Sequence, residues 1–348
     1  MPTCAIVSFR LGGSDGVSIV AASWATALHT FGFDVVTVAG EGPVDRVVGG
    51  LALHADPPAS QDRLDEEVRA ALADADLVVV ENLCTIPLNL PAARSVARAA
   101  HARPAVLHHH DPAWQRAHLA HLTELPPVDP SWRHVTINEL TRREFVARGI
   151  DATVIYNGFD ANPRVGDRAK TREFLDVDAR ERLIVHPVRA IPRKNVPAAI
   201  HLAEQLGGTY WLVGPAEDGY DDELELLLDV AHCRVIHAVA PGDMADVYAA
   251  ADVVAFPSTW EGFGNPPIEA ALHRRPVAVG DYPVAEELRA TFGFEWFDPE
   301  DVTAVDGFLR QPDDAMLQHN RRIAVEHFST ERMTADLHAL LDDAGWLP

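Results

Sequence analysis

Two glutamates, Glu261 and Glu269, are separated by seven residues in one glycine- and proline-rich segment. Gly262 and Gly264 follow the first glutamate, so the backbone there can approach a ligand closely. A helix is predicted to begin at residues 266–267, both prolines, because proline is tolerated in the first helical turn. Helix N-termini bind anions, and carboxylates accept hydrogen bonds from hydroxyls. The segment therefore indicates a ligand rich in phosphate and hydroxyl groups. A capped helix with two solvated glutamates fits the spacing alone equally well.

A basic loop at 187–195 has a similar placement, after a strand predicted over 183–186 and before a helix predicted over 196–206. The chain contains only two lysines, Lys170 and Lys194, and the second lies in this loop. Lysine suits phosphate as a compact charge, and arginine suits it as a bidentate fork. The loop is therefore predicted to neutralise a pyrophosphate, with a solvated basic turn as the alternative.

Three consecutive histidines, at 108–110, end a strand predicted over 105–108. His118 and His121 follow at helical spacing, and histidine is a common metal ligand. Consecutive side chains of a strand point to opposite faces, however, and the sequence displays no clear carboxylate set to complete a metal site. The Asp-Ala-Asp run at 74–76 precedes a strand instead of following one, so it is predicted to be a solvated helix end.

The elements that hold these side chains alternate between strands and helices. In the first half, strands are predicted at 4–9, 35–38, 77–80, 105–108 and 135–137, with helices at 18–30, 62–73, 92–100 and 141–148. The second half continues with strands at 183–186, 235–237, 253–256 and 277–279. This alternation predicts parallel, doubly wound sheets, which bind ligands at the carboxyl ends of their strands.

Length and charge narrow the function. At 348 residues the chain is expected to form about two domains. The formal net charge of −23 argues against nucleic-acid binding and strong binding to anionic membranes. No signal peptide or membrane-spanning helix is predicted. Three dispersed cysteines, Cys4, Cys84 and Cys233, favour a reducing cytosol over a disulfide framework.

Residues 258–270 carry a Gly-Phe-Gly triplet after the first of the two glutamates. The segment resembles the signature of the family 4 retaining glycosyltransferases, which has two glutamates separated by seven residues. Other segments resemble that family in the same order along the chain. They are the Gly12-Gly13 turn after the first strand, the histidine strand end, the Asn-Gly-Phe-Asp run at 157–160 and the basic loop. The resemblance implies a GT-B fold, α/β with two Rossmann-like, doubly wound parallel-sheet domains facing a cleft.

The resemblance also implies domains and a reaction. An acceptor domain is expected over 1–160, with a C-terminal helix at 331–348 packing back on it, and a donor domain over 161–330. The expected reaction moves a hexosyl-type sugar, with retention, from a UDP- or GDP-sugar to a soluble small-molecule or glycoside acceptor. No metal and no cofactor besides the nucleotide-sugar are expected. A phosphorylase or epimerase of the same fold, or a non-catalytic nucleotide-sugar binding protein, are the alternatives.

Residue roles follow from the same resemblance. Glu269 is expected to hold the ribose hydroxyls and Glu261 the sugar hydroxyls, while Arg189 and Lys194 stabilise the pyrophosphate. His110 is the best match to a histidine that contacts the transferred sugar, and His109 is the second choice. The acceptor is expected to contact His109 and Trp114, although buried packing explains Trp114 equally well. The other donor-binding residues are expected to be Gly12, Gly13, Gly262, Phe263, Gly264, Asn265 and Pro266.

Overall fold

The computed structural model describes residues 1–13, 15–55, 60–116, 119, 121–217, 219–239 and 242–348. Two compact units divide the chain. The first comprises Met1–Gly158 with Thr330–Pro348, and the second comprises Phe159–Ser329. Each unit has its own parallel sheet with helices packed around it, which confirms the predicted fold class.

The first unit contains a parallel sheet of seven strands among its described residues. The strands are β1 (Thr3–Arg10), β2 (Asp34–Glu41), β3 (Arg46–Val47), β4 (Leu77–Glu81), β5 (Ala105–His109), β6 (Trp132–Thr136) and β7 (Thr153–Val154). The helices between them are α1 (Gly16–Thr30), α2 (Gln61–Ala71), α3 (Leu90–Ala100) and α4 (Glu139–Ala147). The spatial order is β3-β2-β1-β4-β5-β6-β7. The chain therefore builds outward in both directions from β1, and the switch point lies between β1 and β4.

Short polar side chains start the helices of this unit. Asp15 accepts a hydrogen bond from the Ser18 N–H at the start of α1. Asn89 and Asn138 cap α3 and α4 in the same manner. Such caps satisfy backbone N–H groups that have no partner within the helix. Each of these three helices therefore begins at a defined residue in the segment that follows a strand.

The predicted strands are present, with boundaries that differ from the prediction by up to three residues. Strand β6 was expected at 135–137 but spans Trp132–Thr136. Its first half contains Arg133 and His134, so it lacks the apolar run that marks a buried strand. Parallel pairing with β5, which sets Ala105 opposite Trp132, extends the strand in spite of these polar residues. Tertiary pairing overrides local composition here.

The second unit contains a parallel sheet of five strands within its described part. These are β8 (Leu183–His186), β9 (Thr209–Leu212), β10 (Val235–His237), β11 (Val253–Phe256) and β12 (Val277–Val279). Its helices are α5 (Arg168–Phe174), α6 (Val196–Gln205), α7 (Asp221–Asp229), α8 (Met244–Ala250), α9 (Asn265–Leu272), α10 (Pro283–Phe292), α11 (Val302–Arg310) and α12 (Asp314–Phe328). The order β10-β9-β8-β11-β12 puts the switch point between β8 and β11.

Helix α13 (Thr330–Asp343) returns to the first unit. Met333 and Leu337 are buried there in one apolar cluster with Trp24 of α1. A Cβ atom at Gly158 would lie 3.0 Å from the Cα of Thr330, so a residue without a side chain permits this approach. This contact gives the glycine of the Asn-Gly-Phe-Asp run a packing role.

Candidate functional site

Lys194 and Glu261 meet at the switch point of the second sheet. Lys194 lies in the loop after β8, and Glu261 lies in the loop after β11. The Lys194 Nζ atom is 2.5 Å from Glu261 Oε1, and the Arg193 guanidinium pairs with the other carboxylate oxygen. Lys194 is 9% exposed and Glu261 6% exposed. Two basic side chains thus surround one buried carboxylate at the sheet edge that binds ligands in folds of this kind.

The charges of this cluster do not cancel. Burial raises the pKa of Glu261, but attraction to Lys194 and Arg193 outweighs it and holds that pKa below its usual range. Burial lowers the pKa of Lys194, while Glu261 acts in the opposite direction. When Lys194, Arg193 and Glu261 are all charged, the cluster has a net charge of +1. Such a surplus, away from bulk water, attracts an anion.

The loop after Glu261 leads directly into α9. Gly264 precedes the helix with φ of +96°, and a Cβ atom there would collide with the Tyr282 hydroxyl. Glycine is therefore required both by conformation and by space. Asn265 begins α9 and is followed by two prolines, which have no backbone N–H to donate. These two positions therefore contribute no N–H group to a ligand at this turn.

Phe263 is placed differently from the other residues of this loop. Its side chain is buried, with ring centroids 5.8 Å from Phe328 and 6.1 Å from Phe159. The expected contact with the donor can therefore involve only its backbone. Its neighbours Gly262 and Pro266 remain partly exposed.

Glu269 lies in the second turn of α9 and is partly exposed. The Tyr248 hydroxyl donates a hydrogen bond to its carboxylate. The Tyr248 ring stacks on His273 with centroids 4.9 Å apart, which fixes the hydroxyl in place. Burial raises the pKa of Glu269, and the bond from Tyr248 lowers it in part. Glu269 is thus held as an oriented acceptor on the same helix whose N-terminus follows Glu261.

Arg189 takes another partner. Its guanidinium forms an ion pair with Glu217 at 2.5 Å, and both side chains are more than one third exposed. The structure therefore brings Arg193, and not Arg189, into contact with Glu261. The sequence offered a signal for Arg193, since it directly precedes Lys194 in a short turn before α6.

In the first unit, a polar cluster lies beside the switch point, at the carboxyl ends of β4 and β5. Glu81 and His108 face each other across these paired strands. The Glu81 carboxylate lies 3.0 Å from His108 Nδ1 and 2.9 Å from His110 Nε2. The His108 ring stacks on Trp24 of α1 at 4.1 Å. Glu81 was not predicted from the sequence, and it is the carboxylate whose apparent absence argued against a metal site.

Glu81, His108 and His110 together form a buried set of three possible ligand atoms within 4.8 Å of one another. Burial raises the pKa of Glu81, but attraction to His108 and hydrogen bonds from both histidines lower it below its usual range. Burial lowers the pKa of His108. The cluster is therefore an ionised carboxylate between two imidazoles.

His109 points to the opposite face of the sheet, as strand alternation predicts. Its Nδ1 lies 2.7 Å from the Thr85 hydroxyl and its Nε2 lies 2.9 Å from His134 Nδ1. The side chain is fully buried against Phe145, and burial holds its pKa well below the ordinary value. This placement does not fit the expected contact of His109 with an acceptor, because both ring nitrogens are already engaged inside the protein.

Trp114 contacts the C-terminal end of α4. Its Nε1 donates a hydrogen bond to Glu144 at 2.8 Å, and the Arg148 guanidinium lies 4.2 Å from the ring centroid. Trp114 is only partly buried. His118 lies outside the described residues, and His121 is exposed.

The Gly12-Gly13 turn joins β1 to α1 at the carboxyl edge of the first sheet. Gly12 has φ of +78°, and a Cβ atom there would lie within 2.8 Å of Pro43. Glycine at this position is thus explained by conformation and packing. Ser14, which follows Gly13, lies outside the described part of the chain.

The aspartates at 74–76 have structural partners. Asp74 pairs with Arg46 at 2.6 Å, and Asp76 accepts a hydrogen bond of 2.8 Å from the Thr3 N–H. Both aspartates are exposed and follow the end of α2, as expected for a solvated helix end.

Several known proteins are similar to this chain. Residues 167–306 match the family model described as glycosyl transferases group 1. The chain is 25% identical over 366 residues to mannosylglucosylglycerate synthase of Petrotoga mobilis, covering 83% of this chain and 85% of that protein. It is 31% identical over 223 residues to D-inositol 3-phosphate glycosyltransferase of Mycobacterium sp. strain KMS, covering 58% of this chain and 49% of that protein. A crystal structure of Anabaena HepE with UDP-glucose superposes with a TM-score of 0.72, at 21% identity over 98% of this chain and 99% of that one.

The fold is thus that of the GT-B glycosyltransferases, as the sequence predicted. Residues 167–306 are a glycosyl transferases group 1 domain, and the comparisons together support a glycosyltransferase that uses a nucleotide-sugar. Within the described residues, every helix is too short or too polar to span a bilayer.

Proposed function

We propose that this protein is a family 4 retaining glycosyltransferase, working in the cytosol, that transfers a hexosyl-type sugar from a UDP- or GDP-sugar to a small, soluble acceptor without a metal ion. The observation that carries the proposal is the buried Lys194–Glu261–Arg193 cluster at the switch point of the second sheet. Its net charge of +1 and its place beside the start of α9 suit a diphosphate.

The cluster explains how the leaving group is stabilised. As the bond between sugar and diphosphate breaks, negative charge builds on the diphosphate, and preorganised cations at that point lower the barrier. Lys194 and Arg193 are held in place beforehand by Glu261. Arg189 in the same loop is the further cation that the family resemblance assigns to this step.

Glu261 has two successive partners in this scheme. In the free protein its carboxylate binds the two cations. When a diphosphate binds these cations, the carboxylate becomes available to accept hydrogen bonds from sugar hydroxyls. Glu269, held by Tyr248, accepts from the ribose hydroxyls.

The same residues support the proposal of metal independence. A divalent cation often neutralises a diphosphate in enzymes, and here basic side chains supply that charge. Same-face attack assisted by the leaving phosphate is the step that the family resemblance implies for retention, and His110 takes the contact with the sugar.

The acceptor proposal draws on the relatives. The name of one relative contains glycerate, and the name of another contains inositol 3-phosphate. Glycerate and inositol phosphate are both small, polar and negatively charged. We propose an acceptor of this class, a hydroxyl-bearing small acid or its glycoside.

The test is a transfer assay with UDP-glucose and GDP-mannose against glycerate, glucosylglycerate and inositol 3-phosphate, with and without EDTA. The proposal predicts transfer that persists in EDTA and, by NMR, an α-linked product from the α-linked donor. A β-linked product would refute retention, and loss of activity in EDTA with recovery on adding Mg²⁺ would refute metal independence. Turnover that needs orthophosphate, or proceeds without any acceptor, would instead favour a phosphorylase or an epimerase.

A further inference from the structure

Two consecutive residues at the end of β4 fix His110 at two points. Asn82, in a left-handed conformation with φ of 59°, accepts hydrogen bonds from the backbone N–H groups of His110 (3.1 Å) and Asp111 (3.2 Å). Glu81 accepts from the His110 ring at 2.9 Å. The backbone and the ring of one histidine are therefore both held by the neighbouring strand, at the edge where this fold binds ligands.

The contact with Glu81 determines which ring nitrogen carries the proton. An ionised carboxylate can only accept a hydrogen bond, so His110 Nε2 must be protonated. Within the described residues, His110 Nδ1 has no hydrogen-bond partner, and the side chain keeps 6% of its surface exposed. Nδ1 is thus the atom left for a ligand.

We propose that Glu81 is a positioning residue for the transfer reaction: it locks the His110 ring with Nε2 protonated, so that Nδ1 is presented to a hydroxyl of the transferred sugar. This inference rests on the proposed function, because it takes the contact of His110 with the sugar from there. A carboxylate that orients a histidine in one tautomer is a common device of enzymes that use histidine.

His108 completes the support. It lies between Trp24 at 4.1 Å and the His110 ring at 4.5 Å and donates its Nδ1–H to Glu81. Glu81 therefore receives hydrogen bonds from two imidazoles. The aromatic contacts fix the plane of the His108 ring and so limit the movement of the carboxylate.

A metal ion fits this cluster less well. A metal-bound histidine almost always donates its other N–H to an acceptor. His108 Nε2 is buried and, in the described part of the chain, has no such partner. The direct contacts of 2.9–3.1 Å also let the three groups satisfy one another without an ion.

The first experiment is NMR of protein labelled with ¹⁵N in the histidine rings, which identifies the tautomer of His110 after assignment with a His110→Ala variant. The proposal predicts the Nε2-protonated tautomer in the full-length protein. An Nδ1-protonated ring would overturn it, and this measurement needs no Glu81 variant to fold.

The second experiment compares Glu81→Leu, Glu81→Gln and His134→Asn in the transfer assay. We expect Glu81→Leu to lower kcat about 10- to 100-fold, as loss of outer hydrogen-bond partners of functional histidines does, with KM changed less than about threefold. Glu81→Gln is expected to restore most of kcat, because its amide oxygen can accept from His110 Nε2 while His108 changes tautomer. His134→Asn alters a buried histidine on the opposite face of the same sheet and is the matched control, expected to keep kcat.

The outcomes separate this inference from the proposed function. UDP or GDP binding tests the second unit and is expected to be unchanged in all Glu81 variants. If wild type binds no nucleotide, the proposed function fails, whatever the His110 tautomer. If transfer is normal but Glu81→Leu has the kcat of wild type, the inference alone fails. One tightly bound zinc per chain that is lost in Glu81→Gln would also overturn it.

Discussion

Replacing Lys194 with methionine tests whether the buried charges serve catalysis or only stability. The change removes the ammonium 2.5 Å from Glu261 and keeps most of the side-chain volume. Removing one partner of a buried ion pair costs ~3–5 kcal/mol of unfolding free energy. We expect a value near the lower limit, about 3 kcal/mol, because Arg193 still pairs with Glu261. We also expect transfer to fall at least ~100-fold, since a charge-stabilising group is lost from the site of the leaving group.

The double variant Lys194→Met/Glu261→Gln separates these two effects. Without the carboxylate the remaining charge is that of Arg193, whose side chain is 27% exposed and can be solvated. The unfolding free energy measured in urea is therefore expected to recover by more than half. Initial rates of sugar transfer are expected to stay at least ~100-fold below wild type. Lys170→Met is the control, because it alters the chain's other lysine, which is exposed on α5. It is expected to change stability by less than ~0.5 kcal/mol and leave the rate unchanged.

Recovery of the transfer rate in the double variant would refute this reasoning. It would mean that neither the Lys194 charge nor the Glu261 carboxylate is needed for transfer. A wild-type rate in the single variant would refute it as well.

Three more predictions concern single side chains. Asp76→Ala is expected to change the transfer rate less than threefold, with or without EDTA. It is expected to cost about 1 kcal/mol of stability, because one hydrogen bond is lost. Glu261→Ala is expected to lower activity at least ~100-fold, and a similar loss in Asp76→Ala would favour a metal at 74–76. Glu269→Gln is expected to weaken nucleoside diphosphate binding about tenfold by calorimetry, equivalent to one hydrogen bond of about 1.4 kcal/mol, and unchanged binding would contradict a ribose contact. Burial lowers the pKa of His134 to about 4. Since the folded state binds this proton more weakly, about 3 kcal/mol of stability is present above pH 6.5 and is lost as pH falls to 4. In His134→Asn, the unfolding free energy measured in urea is expected to depend less on pH between 6.5 and 4. An unchanged pH dependence would refute the assignment of this effect to His134.

The sequence was sufficient to predict the parallel sheets because most of their strands are continuous apolar runs. Strand β4, for example, is buried along its whole length, and residues 77–80 were predicted from composition alone. Residues 132–134 of β6 could not be predicted in this manner. Their place in the sheet depends on pairing with β5, which lies far away in sequence.

In the candidate sites, too, features within one local segment could be predicted from the sequence, and contacts between distant segments could not. Glu261 and Glu269 were found because they lie in one local segment, and Lys194 because lysine is rare in the chain. Glu81 lies 27 positions before His108, and only the register between β4 and β5 brings the two together. The partner of Arg189 was also beyond the sequence, since Glu217 follows a different strand of the second sheet.

Calorimetric titration with UDP, GDP, ADP and TDP tests the central claim most directly. It is carried out with and without EDTA, on wild type and on Lys194→Ala. We predict that wild type binds one nucleotide selectively, that EDTA leaves the affinity unchanged, and that Lys194→Ala weakens it. Absence of binding by all four nucleotides would contradict the assignment of the Lys194–Glu261–Arg193 cluster as a diphosphate site.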